Sequence, residues 1–138
     1  LLSIKPEYAE QLINGSKRFE YRRSAIHPEV SHIVIYASSP TKRILGIFAV
    51  KRIMVTDPMD AWKQTKDSAG ISRKAFVAYF KGASKAYCIE VDPGSIVRVN
   101  DHVHPTDLEA GFSIPQSFRY LNDSYFRLLL KHNLELAI

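Results

Sequence analysis

A chain of 138 residues, 46% of them hydrophobic, can bury one core without staples, so residues 1–138 read as a single domain. The one cysteine, Cys88, excludes a disulfide framework and a cysteine-based zinc site, and the longest apolar stretches, 33–37 and 44–50, are far shorter than a bilayer span. With no basic-then-apolar opening segment a soluble, cytoplasmic protein is expected, and the formal charge of +5 favours an anionic partner without naming one.

In chain order, residues 1–5 read as a short strand, and Pro6 is placed to open a helix with Ala9, Leu12 and Ile13 on its apolar face. Asn14-Gly15 ends that helix. Phe19-Glu20-Tyr21-Arg22 then alternates as a half-buried strand, Phe19 and Tyr21 on one face and Glu20 and Arg22 on the other. Lys17, Arg18, Arg22 and Arg23 crowd around it with only Glu20 as counter-charge, either as a salt-bridged solvated face or as an anion site. His32 to Ala37 has the continuous apolar character of a central strand buried on both faces, broken by Ser38-Ser39-Pro40. Ile44 to Val55 is a longer strand in which Gly46 marks a bulge or a barrel corner.

Asp57-Pro58 places a cap and a first-turn proline before a helix carrying Met59, Trp62 and Lys63. Ser72 caps another, with Phe76, Tyr79 and Phe80 on its buried side and Gly82 at its end. Lys85 to Val91 and Ile96 to Val99 are strands separated by the Asp92-Pro93-Gly94 turn, and residues 102–114 are less regular. From Asn122 or Asp123 a last amphipathic helix carries Tyr125, Phe126, Leu129 and Leu130. Strands outnumber helices without alternating with them, so the class is α+β with a small barrel rather than a doubly wound sheet.

The segments Leu2 to Ala9, Asn14 to Arg23 and Ile35 to Pro40 together resemble the ASCH family of the PUA-like superfamily. Pro115-Gln116-Ser117-Phe118-Arg119-Tyr120 looks like the closing motif of a prokaryotic subgroup of predicted regulators. The resemblance implies a β-barrel of five or six strands with helices at its openings, and a cleft that takes RNA, a modified base or a small nucleoside. By position alone Lys17 is a plain surface lysine; the resemblance makes it a site residue at the cleft mouth. Glu20 and Arg22 form a structural ion pair or divide the work, carboxylate to a base N–H and guanidinium to a phosphate.

Ser38, Ser39 and Lys42 lie on a turn, where they serve the turn itself or approach a ligand. Gln116, Ser117, Arg119 and Tyr120 offer an amide, a hydroxyl, a cation and a ring, or simply pin the last helix. Trp62, Phe76 and Tyr79 are expected in the core. Of His27, His32, His102, His104 and His132, only His102 and His104 share a strand face, and no third ligand completes them, although Asp101 and Asp107 are near. No metal site and no cofactor are expected.

A binding module for RNA or a modified nucleotide, using Lys17, Arg18, Glu20, Arg22, Arg23, Ser38, Ser39, Lys42, Gln116, Ser117, Arg119 and Tyr120, is the first expectation. The alternative is a hydrolase of RNA or of a modified nucleoside. A sister branch of the family deacetylates 4-acetylcytidine with a lysine, a threonine and a glutamate; here the resemblance supplies Lys17, puts Glu20 where threonine stands, and offers Asp67 for the third group. A transcriptional regulator is the remaining possibility, its DNA-reading unit carried by a partner, since no helix-turn-helix is visible. The oligomeric state is not legible.

Overall fold

Two residues bracket the first helix and set where the charged segment begins. In the computed structural model, which describes residues 1–131 and 134–136, strand β1 (Leu2–Ile4) leads into helix α1 (Pro6–Asn14). Pro6 lies in its first turn, and Gly15 closes it with φ 85, a left-handed conformation in which a Cβ is strained. The chain then reverses into β2 (Phe19–Arg22).

β3 (His32–Ala37) pairs parallel with β1 and antiparallel with β4 (Arg43–Thr56). Alternate β3 residues enter two different cores, Ile33, Ile35 and Ala37 one and Val34 and Tyr36 the other, as a strand covered on both faces requires. The 14-residue β4 has three partners. Arg43 to Ala49 pair with β3, Ile44 to Ile47 with β6 (Val97–Val103), and Val50 to Thr56 with β5 (Ala86–Val91). Its register shifts beside Gly46, where a Cβ would meet Val97 O and come within 2.5 Å of Ile13 Cδ1; glycine lets β6 and α1 close on the strand. β5 pairs with β2, and a short β7 (Leu134–Leu136) pairs with β6. One mixed sheet results, curled into a half-barrel along the order β1-β3-β4-β5-β2, within the α+β class expected.

α1 buries Ala9, Leu12 and Ile13 against β3 and β4. α2 (Pro58–Thr65) and α3 (Arg73–Tyr79) begin with Asp57 accepting from Asp60 N at 3.0 Å and Ser72 accepting from Ala75 N at 3.1 Å. They cover β2 and β5, with Phe76 and Phe80 packed among Tyr21, Ala86 and Cys88. α4 (Asp123–Leu130), capped by Asn122, buries Tyr125 and Leu129 beside Tyr36, Val99 and Phe112.

The structure differs from the sequence reading in four places. The strand read as 96–99 runs on to Val103, because β4 is long enough to pair with Val103 at Ile44. β7 has no counterpart in the sequence reading. Tyr79 and Leu130, expected on buried helix faces, are 40% and 47% exposed. β2 is buried on both faces rather than half-buried. Among the described residues no helix is long and apolar enough to cross a membrane.

Candidate functional site

Lys17 points inward because of what surrounds the start of β2. Its backbone N–H donates to Gln11 O at 3.0 Å, the Arg18 carbonyl accepts from Val91 N at 2.9 Å, and Gly70, with φ +64, leaves room for the side chain. A Cβ on Gly70 would stand 2.6 Å from Lys17 Cβ. The stem is therefore packed, and Lys17 is only 2% exposed. Its ammonium donates to Ala69 O at 2.6 Å and lies 4.7 Å from the Tyr21 ring centroid and 5.2 Å from that of Tyr8, both in cation–π range. Burial pulls its pKa from 10.5 down to about 8, against the pull of Glu20 in the other direction.

Glu20, 6% exposed, receives Arg22 Nη1 at 3.1 Å. Arg22 Nη2 donates to Ser117 O at 2.8 Å and to Ser117 Oγ at 2.9 Å. Burial pushes the Glu20 carboxyl above its usual range, while Arg22 and then Lys17 hold it back. The segment carrying Ser117 is held against β1, with Ser3 Oγ donating to Pro115 O at 2.7 Å and Ser3 N to Ser117 O at 2.9 Å.

These groups meet in a cavity of about 440 Å³. Of the residues singled out in the sequence, Lys17, Glu20, Arg22, Ser38, Gln116 and Ser117 line it. Lys5, Tyr8, Tyr21 and Tyr79 complete its polar and aromatic wall. Tyr79 is the residue that the sequence misplaces: helical spacing puts it in the core beside Trp62 and Phe76, whose rings do pack at 5.1 Å, but it stands at the edge of that stripe and opens onto the cavity. Tyr21 donates its hydroxyl to Thr65 Oγ1 at 2.7 Å, and burial raises its pKa, so it stays neutral.

The other sequence candidates lie elsewhere. Arg18 and Arg23 are exposed at the two ends of β2. Ser39 and Lys42 belong to a turn in which Ser38 O accepts from Thr41 N and Lys42 N, and neither lines the cavity. Asp67 is exposed on a single 3-10 turn, Lys66–Ser68, outside the cavity, so the set Lys17, Glu20 and Asp67 is not assembled there. Arg119 lies over the Phe112 ring at 3.9 Å, and Tyr120, 56% exposed, accepts from His27 N at 3.0 Å. Both line a separate cavity of about 230 Å³, so the cluster 116–120 divides between two sides of the β1 edge. His104 caps the turn Pro105–Asp107. The side chains of Asp101 and His102, and residue His132, lie outside the described residues, among which no metal-holding group of three ligands occurs.

The ASCH domain model matches residues 2–95 of this chain. The chain belongs to the ASCH domain family. An ASCH domain-containing ribonuclease of Zymomonas mobilis is 29% identical over 122 residues, covering 88% of this chain and 82% of that protein. The crystal structure of ASCH from Zymomonas mobilis superposes with a TM-score of 0.82 at 27% identity, over 94% of this chain and 91% of that one. The curled sheet and its helices are thus the ASCH fold.

Proposed function

We propose that this ASCH domain binds single-stranded RNA with one nucleotide in the cavity and cleaves the adjoining phosphodiester. The observation that carries this reading is the burial of Lys17 beside the Glu20–Arg22 pair at the base of an open cavity. Desolvating charges costs on the order of several kcal/mol per ion, and such perturbed groups clustered in a cleft favour a functional site. The Tyr8 and Tyr79 rings give a base surfaces to stack on, and the Gln116 amide can meet a base edge. The name of the Zymomonas relative, a ribonuclease, points the same way.

In the proposed reaction the ribose 2′-hydroxyl attacks the phosphorus, the bond to the 5′ oxygen breaks, and a 2′,3′-cyclic phosphate remains. Glu20, made more basic by its burial, takes the 2′ proton as its carboxylate. Lys17, mostly protonated at neutral pH with a pKa of about 8, gives one to the leaving oxygen. Arg22 faces the charge that builds on the phosphorane. Deacetylation of a modified nucleoside is the weaker reading, because Asp67, the carboxylate needed to complete its set, is outside the cavity.

Mass spectrometry of RNA oligonucleotides incubated with the protein tests this. Cyclic phosphate ends are expected, blocked by a 2′-deoxy substitution at the cut site and reduced about a hundredfold or more in Lys17→Met. Binding without product would retract the chemistry and leave a recognition module. Cleavage indifferent to Lys17→Met would remove the cavity from the reaction.

A further inference from the structure

Charge is distributed unevenly around the cavity. Arg18, Arg23, Arg73, Lys74 and Lys81 are all exposed, and each lies within two residues of a residue lining the cavity: Lys17, Arg22, Ala75 or Tyr79. None of them belongs to an ion pair among the described residues. The positive surface continues over the end of α2 and over α3, since the stretch from Lys63 to Lys85 adds Lys63, Lys66 and Lys85 and contains Asp67 as its sole acid, while Asp57 and Asp60 lie at the start of α2. Those eight cations against one acid exceed the formal charge of +5 of the whole chain, so the remainder is net acidic. On the α1 side, Glu7 and Glu10 are exposed, Glu10 lying 3.8 Å from Arg98, and the exposed Lys5 before the helix lines the cavity.

Like charges gathered on one face repel one another, and pairing them with the acids of the other face would have been less costly to the fold. Tyr79, 40% exposed, marks where the cavity gives onto the basic side. We infer that the face formed by α3 and its flanking turns is a track for the phosphates of an RNA strand leaving the cavity, so that the substrate is an extended single strand rather than a free nucleoside. This rests on the proposed reading of the cavity. The strand passes over α3.

The test compares a single-stranded RNA of about twelve nucleotides with a dinucleotide, by fluorescence anisotropy over a salt series and by cleavage. The variant is Arg73→Gln, Lys74→Gln and Lys81→Gln combined. Lys51→Gln, at a lysine paired with Glu90 3.8 Å away, is the control. The triple variant should bind the long strand about tenfold more weakly, with a salt slope smaller by about 2, at roughly 0.7 for each phosphate no longer neutralised. It should cut the dinucleotide as the unaltered protein does, and Lys51→Gln should match the unaltered protein throughout. The track falls if the triple variant keeps the full affinity and slope, or if it loses dinucleotide cleavage to the same extent as long-strand binding. If the long strand binds with the expected slope but no RNA is cut, the cleavage reading fails and the track stands. Absence of any binding overturns both.

Discussion

Burial lowers the Lys17 pKa from 10.5 to about 8, so between those values the unfolded chain holds a proton that the folded chain has released. Stability contributed through this group therefore rises as pH rises across that window, and below about pH 8 its full penalty applies. Denaturant unfolding at a series of pH values should show the native protein gaining on Lys17→Met between pH 8 and 10.5, by on the order of 3 kcal/mol in total. A constant difference across that range would mean that the amine is better solvated than its packing implies. The same lysine is legible in the sequence only through the helix-ending glycine and the family resemblance. Its burial is not, because the Gly70 and Ala69 backbone that encloses it lies more than fifty residues away, and no local pattern reports such a contact.

At the scale of elements, periodicity locates β2 and α3 but not what covers them. Alternation correctly separates Phe19 and Tyr21 from Glu20 and Arg22, yet the charged face is buried because Ser117, 95 residues on, reaches Arg22. On α3, Phe76 and Phe80 fill the core and Tyr79 falls beside them, at an angle that helical spacing alone does not assign to core or cavity. The loop before α3 is the element whose geometry the site depends on most. Gly70→Ala adds a Cβ at φ +64, itself a strain of roughly 1–2 kcal/mol, and drives it into the Lys17 stem. The variant should remain folded with a lower unfolding midpoint and lose the proposed RNA cleavage far beyond that loss of stability; unchanged cleavage would show that Lys17 need not be held by its stem.

For the molecule as a whole, Cys88 offers a reporter. It is fully buried beneath α2 and α3 on β5, and burial raises its thiol to about 11. A thiol reagent should reach it only when the fold opens, so its labelling rate should rise with denaturant as global unfolding does. A rate insensitive to denaturant would instead reveal that the α2–α3 cover lifts locally. The wall of the cavity has a different history from its base. Lys17, Glu20 and Arg22 are made early, whereas Gln116 and Ser117 are made some hundred residues later and dock beside Ser3. Both Ser117 acceptors of the Arg22 guanidinium come from that late segment, which supplies one side of the groove. On the proposed activity, the site is thus closed from both ends of the chain, and it is complete only when the late segment has docked beside β1.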